Sequence, residues 1–428
     1  MNVMVVGSGG REHCIAWKLR KDGSAGRIVC CPGNAGIAGA AECVPVPADD
    51  LEGLLAVSKS HGIDLVVFGP EEPLVRGAAD WMRARGVTVF GPSSVGARLE
   101  GSKVFAKRFM ERHSIPTGEF EAFDSAEKAL EFVRRRSEPL VVKADGLAKG
   151  KGVFVCESGE EAEAAVRATM VDCRFGTAGS RVVIEERLRG DELSVMAICD
   201  GERYVMLPFS QDHKRALEND EGPNTGGMGA YSPVSFAAGG VLRRVEDGII
   251  LPVLRGMSDD GSPYVGVLYV GLMLTAGGPK VLEFNCRFGD PETQAVLPVC
   301  DFDLAGTLEL AATGRLPGSA TVESRGHCAC VVACSGGYPA RYEIGKQISG
   351  LDELQGLENV LLFHAGTALD GDRLVTAGGR VLGVAGTGET LREALGRAYE
   401  AMGLVRFEGI HYRRDVGARG LEMANQTN

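Results

Sequence analysis

Residues 283 to 292 read Glu283-Phe284-Asn285-Cys286-Arg287-Phe288-Gly289-Asp290-Pro291-Glu292, and they follow the apolar run Val267 to Leu274 and a turn at Gly277-Gly278-Pro279. Successive side chains of a strand alternate between its two faces. A strand here therefore predicts Glu283, Asn285 and Arg287 on one face, with Phe284, Cys286 and Phe288 on the other. A carboxylate, an amide oxygen and a guanidinium then converge at the end of a hydrophobic hairpin. Hard oxygen donors suit a divalent ion such as Mg²⁺, and a planar cation beside them suits a carboxylate or phosphate. A merely solvated strand face is not expected to run straight into Gly289-Asp290-Pro291-Glu292.

The chain around this stretch has 428 residues, 44% hydrophobic, 24% charged and 6% aromatic, with 60 glycines. That length points to about three domains, and the composition suits an α/β enzyme with many tight turns. No signal-peptide core and no apolar run of about 18 residues is found, which predicts a cytoplasmic protein away from membranes. A net charge of −11 argues against a nucleic-acid-binding surface, which needs a basic stripe. It does not argue against small anions, because local Lys and Arg clusters decide the sign of a pocket. The twelve cysteines are scattered. Buried free thiols are the expectation, and His327-Cys328-Ala329-Cys330 lacks the second cysteine pair of a zinc ribbon.

The first hundred residues alternate strands (Val3 to Val6, Ile28 to Cys31, Leu65 to Phe68, Val87 to Phe90) with helical patterns such as Pro73 to Arg85. Alternation of this kind predicts a parallel sheet with ligands at the carboxyl ends of its strands. Those ends carry Gly7-Ser-Gly9-Gly10-Arg11-Glu12-His13, Pro32-Gly33-Asn34-Ala35-Gly36 and Gly69-Pro70-Glu71-Glu72-Pro73. The first is not a dinucleotide fingerprint, since Glu12 stands at the third glycine position and no acid follows the second strand. A glycine turn at a helix start still offers N–H groups to a phosphate. Arg11 opposes the helix dipole unless an anion lies nearby, so a monophosphate site is expected there.

Lys103 opens a helix, and the strand Leu140 to Lys143 leads into Ala144-Asp-Gly146-Leu-Ala-Lys149-Gly150-Lys151-Gly152-Val153. The spacing is not that of a P-loop; a flexible flap closing over a triphosphate fits it better. A strand Arg181 to Glu185, a hinge and a return through Asp191 to Ser194 set Glu185, Glu186, Leu188 and Glu192 beside one another. The stretch Gly222 to Tyr231 is read as a surface loop or a substrate-gripping nest, not a regular element. From about Arg325 short strands and the helical pattern Thr390 to Met402 make a small α+β cap.

These motifs together resemble the phosphoribosylamine–glycine ligase (glycinamide ribonucleotide synthetase) family of ATP-grasp enzymes. GSGGREH at 7 to 13, PGNAG at 32 to 36, GPE at 69 to 71, LEGSK at 99 to 103, KADGLAKGKGV at 143 to 153, SQDHKR at 210 to 215, GPNTGGMGAYSP at 222 to 233, EFNCRFGDPE at 283 to 292 and HAGT at 364 to 367 carry the resemblance. It implies an α/β and α+β multidomain fold: an N-terminal βαβ domain (1–101), a central ATP-grasp domain (102–324) with a mobile flap at about 118–190, and a C-terminal α+β domain (325–428). It implies a reaction in which ATP, glycine and 5-phosphoribosylamine give glycinamide ribonucleotide, ADP and phosphate by way of glycyl phosphate, in purine biosynthesis. By the same resemblance Lys103, Lys143, Gly146, Lys149, Gly150, Lys151, Gly152, Val153, Glu185, Glu186, Leu188 and Glu192 meet ATP. Glu283 and Asn285 hold Mg²⁺ or Mn²⁺, and Arg287, Lys143 and Glu283 serve the chemistry. Gly9, Gly10, Arg11, Asn34, Glu71, Asp212, Asn224, Thr225, Gly226 and Gly227, with Arg287, face the other substrates. A monomer acting on small molecules is expected. Many relatives of the wider superfamily carry another carboxylate on the preceding strand, which here reads Val270-Gly-Leu-Met273-Leu, so the metal ligand set stays open. The competing readings are another ATP-grasp carboxylate ligase or carboxylase, or, from a different class, a noncatalytic nucleotide-binding module.

Overall fold

The computed structural model describes residues 1–148, 150–235, 240–354 and 356–427, the last four by backbone alone. Lys149, expected to meet ATP, lies outside the described residues.

The N-terminal sheet is parallel throughout, in the spatial order Glu42–Cys43, Arg27–Pro32, Asn2–Gly7, Leu65–Phe68 and Val89–Phe90. Strand order reverses between Asn2–Gly7 and Leu65–Phe68, so the turns after Gly7 and Phe68 flank the crevice where ligands of such sheets bind. The single helix expected over Pro73 to Arg85 is instead two, Glu71–Val75 and Ala78–Arg83. Gly77 between them has a φ of +87°, a left-handed conformation that ends the first helix and starts the second.

Four antiparallel strands (Phe120–Phe123, Val182–Glu186, Leu140–Ala144 and Val153–Cys156) form a small sheet. Helices Ala126–Arg134 and Gly159–Val166 cover it, and Leu130, Val133, Val142, Val166 and Ile184 belong to a core of its own. The two larger cores draw on all three regions. One joins Val3 and Ile15 to Met196, Tyr269, Cys328 and Phe363.

The hairpin read from the sequence is present as Val265–Thr275 and Gly278–Asn285. It lies at one side of a five-stranded sheet that continues through Asp191–Asp200, Tyr204–Met206 and Ala320–Thr321. Phe284, Cys286 and Phe288 are all buried, as alternation requires. The regular strand ends at Asn285, and Arg287 follows in the bend beyond it.

The stretch Gly222 to Tyr231 departs from its sequence reading. Strands Glu221–Asn224 and Gly229–Ser232 occupy its two ends. Gly229–Ser232 joins Gln211–Asp212 to a sheet whose other strands are His327–Cys334, Arg380–Gly388 and Val360–His364. The C-terminal sheet thus runs directly into the segment that carries Asp212 and Asn224 to Gly227. All twelve cysteines are free thiols, and all but Cys43 and Cys173 are buried. Among the described residues no helix is long and apolar enough to cross a membrane.

Candidate active site

A cavity of about 1030 Å³ opens where the three regions meet, large enough for a nucleotide and a second small substrate. The hairpin supplies its floor. Arg287 donates from Nη2 to Glu100 Oε1 at 2.9 Å and to Asn285 Oδ1 at 3.0 Å, and from Nη1 to the Phe288 carbonyl at 3.3 Å. Its buried Nε makes no hydrogen bond within the protein and lies 3.5 Å from Glu71 Oε2. Burial disfavours the guanidinium charge, but Glu100 and Glu71 hold its pKa above the usual arginine range. Glu100 is itself pushed up by burial and accepts from the Cys286 N–H at 2.7 Å. Glu283 faces the cavity. Burial opposes its charge, and Lys214, Lys143 and Lys103 together hold its carboxyl below the usual range.

Opposite the floor stand the lysines. Lys143 and Lys107 both pair with the buried carboxylate of Glu185, one on each oxygen. Lys143 also donates to the Leu282 carbonyl at 2.9 Å, and Lys107 to Thr117 Oγ1 at 2.7 Å. Lys107 is brought down to about 8, first by burial, against the pull of Glu185. Lys103 donates to the Gly146 carbonyl at 3.3 Å, and burial lowers its pKa while Glu283 raises it. Its helix, Lys103–Arg112, is capped by Ser102, whose hydroxyl accepts from the Phe105 N–H. Asp145 ties that cap to the flap, taking bonds from Ser102 Oγ at 2.7 Å, the Val104 N–H at 2.8 Å and Arg181. Gly150 has a φ of +73°, and a Cβ there would lie 3.2 Å from the Thr225 carbonyl, so the flap tip touches the glycine loop.

Of the residues expected to meet ATP, Lys103, Lys143, Gly150, Lys151, Gly152, Val153, Glu185, Glu186, Leu188 and Glu192 line this one cavity. Gly146 is not among the lining residues, and a Cβ there would lie 2.8 Å from Ala178 Cβ. The carboxylates of Glu185 and Glu186 are already occupied, the first by two lysines and the second by Lys280 at 2.8 Å and the Glu119 N–H at 3.0 Å. Apolar walls come from Val141, Val155, Leu188, Met273, Leu282 and Phe284.

At the other end Arg11, Glu71, Asp212, Asn224, Thr225 and Gly226 line the cavity, whereas Gly9, Gly10, Asn34 and Gly227 do not. The anion that Arg11 requires is Glu12: Arg11 Nε donates to Glu12 Oε1 and the Gly9 N–H to Glu12 Oε2, each at 2.5 Å. The glycine turn expected to cradle a phosphate is thus capped by the chain's own carboxylate. The Asn34 amide is likewise occupied, donating to the Ser8 and His364 carbonyls at 2.8 and 2.9 Å and accepting from the Gly36 and Ile37 N–H groups. Burial and the carboxylates of Glu292, Glu192 and Glu283 push the Asp212 pKa up against the pull of Lys214. Lys214 lies 3.3 Å from Glu192 and 3.8 Å from Glu283. Tyr269 bridges Ser194 and Glu292, which is buried.

Lys107, Glu100, Lys214, Tyr269, Glu292, Tyr338 and Arg380 also line the cavity and were not singled out from the sequence. Lys107 had a signal, a lysine four positions after Lys103 on the buried helix face of Ala106, Phe109 and Met110. Tyr338 and Arg380 had none in their local sequence. No Ser or Cys is among the described residues that line the cavity, and the one histidine, His213, is lowered to about 4 by burial. Among the described residues no three His, Cys, Asp or Glu side chains converge as a metal site. Glu283 and Asn285 are hard oxygen donors on one strand face, a pair that fits Mg²⁺ or Mn²⁺ completed by phosphate oxygens.

The chain matches three family models in succession. They are described as phosphoribosylglycinamide synthetase N domain over residues 1–100, ATP-grasp (A) domain over 101–293 and C domain over 328–419. It is 46% identical over 421 residues to a phosphoribosylamine–glycine ligase of Halalkalibacterium halodurans, covering 98% of this chain and 97% of that one. It is 46% identical over 424 residues to the enzyme of the same name from Pseudomonas aeruginosa, covering 98% of each. Among solved structures, the phosphoribosylamine–glycine ligase of Thermotoga maritima superposes with a TM-score of 0.85 at 39% identity, over 97% of this chain and 100% of that one. A biotin carboxylase from Campylobacter jejuni shares the fold, with a TM-score of 0.74 at 14% identity over 98% of each chain.

Proposed function

The chain belongs to the phosphoribosylglycinamide synthetase family, and on that premise we propose that it is an ATP-dependent ligase that joins glycine to 5-phosphoribosylamine in purine biosynthesis. The observation that carries the reading to the site is one cavity in which Arg287, Glu283 and Asn285 face Lys103, Lys143 and Lys107, with no serine or cysteine among its described lining residues. Such a site positions and neutralises anions, and the ligase chemistry needs no protein nucleophile because the glycine carboxylate and the acceptor amine are themselves the nucleophiles.

The adenine fits the apolar walls around Val141, Leu188 and Phe284, and the triphosphate runs toward Lys103 and Lys143. Glu283 and Asn285 would hold Mg²⁺ or Mn²⁺, which would offset phosphate charge as it builds on the bridging oxygen. Arg287 grips the carboxylate of glycine. One carboxylate oxygen attacks the γ-phosphorus, the bond to the bridging oxygen breaks and ADP leaves, giving glycyl phosphate; this is chiefly positioning and charge stabilisation. The amine of phosphoribosylamine, held near Asp212 and the Asn224 to Gly226 loop, then attacks the acyl carbon; the C–N bond forms, the C–O bond to the phosphate breaks, and phosphate leaves together with one proton of the amine. Arg11 and Glu71 belong to this acceptor end. The flap over Gly150 to Val153 excludes water that would hydrolyse the acyl phosphate. Action as a cytoplasmic monomer on small molecules is part of the same proposal, supported by a net charge of −11, which favours a dissolved, unassociated chain and disfavours nucleic acid.

The test is ADP release with ATP and Mg²⁺ in the presence of glycine, phosphoribosylamine generated in situ, or both, with formate and bicarbonate as rival carboxylates. Release that needs both substrates, with glycinamide ribonucleotide seen by mass, supports the proposal. Release driven by formate or bicarbonate overturns the substrate, and silence in every mixture overturns the enzyme.

A further inference from the structure

Among the C-terminal residues that line the cavity, Arg380 and Tyr338 hold the glycine loop at its acceptor end. Arg380, at the start of the strand Arg380–Gly388, donates from Nη1 to the Gly226 carbonyl at 2.6 Å and to the Asp290 carbonyl at 2.7 Å. Its Nη2 lies 3.0 Å from Asp290 Oδ2. Tyr338 Oη accepts from the Gly226 N–H at 3.0 Å. Both backbone polar groups of Gly226 are therefore held from the C-terminal region.

Gly226 and Gly227 have no side chains with which to fix their own position, and glycine is conformationally permissive. Gly227 has a φ of +111°, and a Cβ there would lie 2.3 Å from Pro291 Cδ. The glycine loop is thus pressed against the turn that follows Arg287, and one guanidinium bonds to both. The loop is also held to the segment before it: the Thr225 N–H and Oγ1 donate to the Lys214 carbonyl at 2.8 and 2.9 Å, the Met228 N–H donates to the His213 carbonyl at 2.8 Å, and the Gly227 N–H donates to Thr225 Oγ1 at 3.0 Å; none of these bonds reaches Gly226. Asp290 is held ionised: burial opposes its charge, and Arg380 and then Arg11 outweigh it.

We propose that Arg380 and Tyr338 are positioning residues for the acceptor substrate, clamping the Asn224 to Gly227 loop onto the Gly289 to Glu292 turn so that this end of the cavity is completed by the C-terminal region. The inference rests on the ligase reading and gives that reading's third region a role. Neither side chain takes part in bond making. The clamp acts by holding a flexible segment in the geometry the phosphoribosylamine amine needs. Arg380 and Tyr338 bond to Gly226 and Asp290 and to none of the residues assigned to ATP, and the flap meets the clamped loop only where Gly150 approaches the Thr225 carbonyl.

The experiment compares Arg380→Gln, Arg380→Lys and Tyr338→Phe in the full chain. The readouts are KM for phosphoribosylamine and for glycine, kcat, and the ATP dissociation constant by calorimetry. Losing hydrogen bonds to a charged group predicts a KM for phosphoribosylamine about tenfold to a hundredfold higher in Arg380→Gln. Tyr338→Phe and Arg380→Lys should show smaller rises of the same kind, the lysine recovering part of the loss, with ATP affinity within about twofold of the parent. An unchanged KM for phosphoribosylamine in an active Tyr338→Phe enzyme overturns the clamp, as does ATP affinity falling in step with it. Tyr338→Phe carries the test should Arg380→Gln fail to fold. A parent chain silent with both substrates overturns the ligase reading and the clamp with it, whereas an active parent with indifferent variants overturns the clamp alone.

Discussion

Replacing Glu185 with glutamine leaves the shape of the lysine cluster intact and removes the one charge that Lys107 and Lys143 share. Both lysines are nearly inaccessible, so their ammonium groups cannot recover the loss from water. Removing one partner of a buried ion pair costs about 3–5 kcal/mol. Lys107 titrates at about 8, and after burial itself the largest influence on it is the upward pull of Glu185. A loss of about 3 kcal/mol corresponds to about two further pH units of lysine titration. The sign follows from proton counting. A lysine lowered in the folded state binds fewer protons there than when unfolded, so stability rises with pH from the folded pKa to the unfolded one. In the variant that window begins lower. The deficit relative to the parent therefore grows as pH falls from about 8 to about 6, where Lys107 is charged in the parent and resists charging in the variant, and is at its full value below that. It closes above about pH 8, where Lys107 is already neutral in the variant and is losing its proton in the parent. Thermal melting of the two proteins across this range, with ATP dissociation constants at each pH, measures it. A deficit that is constant with pH, or that grows toward alkaline pH, refutes the assignment of Glu185 as the counterion of Lys107.

Three further outcomes follow from other parts of the site. Glu283→Gln should lower kcat by about a hundredfold or more, because a preorganised charge at the transferring phosphoryl is typically worth about 3 kcal/mol. Near-normal turnover in that variant removes Glu283 from the metal and phosphoryl site. Arg11→Ala should raise KM for phosphoribosylamine far more than it weakens ATP, and equal effects on both would place Arg11 in a structural role through Glu12. His13, His213 and His364 are lowered by burial to about 3, 4 and 4. The unfolded chain binds more protons than the folded one wherever such histidines stay neutral, so the stability they contribute is complete above about pH 6.5 and falls toward pH 4. For each histidine the fall is at most about 1.4 kcal/mol per pH unit across that window. Melting curves that stay flat through that range would show that these histidines charge within the fold.

The hairpin was legible because alternation is a local signal: Phe284, Cys286 and Phe288 had to be buried, and Glu283, Asn285 and Arg287 had to share the other face. The parallel sheet was legible for the same reason, from short apolar runs ending in glycine turns. What escaped depended on partners far along the chain. Strand Gly229–Ser232 forms because His327–Cys334 lies beside it, and glycine-rich sequence alone argues against a strand there. Arg380 meets Gly226 across 154 residues of sequence and Asp290 across 90, with no local pattern to mark it. The phosphate reading of the Gly7 to His13 turn rested on the helix dipole and Arg11, and the local sequence does not reveal that Glu12 reaches both the Gly9 N–H and the Arg11 guanidinium. Gly77 was visible as a residue, but only its left-handed backbone reveals two helices where one was expected.

A chain of net charge −11 that handles a nucleotide triphosphate, an amino-acid carboxylate and a sugar phosphate must concentrate its cations, and the cavity shows how it does so. Arg11 comes from the N-terminal region, Lys103, Lys107, Lys143, Lys214 and Arg287 from the central one, and Arg380 from the C-terminal one. Each group of cations is interleaved with carboxylates: Glu12 for Arg11, Glu185 for the two flap-side lysines, Glu100 and Glu71 for Arg287, Asp290 for Arg380. Without those partners burial, and with it mutual repulsion, would take protons from so many enclosed positive groups; Lys103 and Lys107 are already lowered, first by burial and further by Lys143. With them, the cations stand fixed before any substrate arrives, and preorganised charge is what phosphoryl transfer draws on. Because the three groups come from three regions, the full set exists only where those regions are packed together. An acyl phosphate formed in that packed state arises beside the acceptor loop and under the flap, the one arrangement in which the amine reaches it before water does.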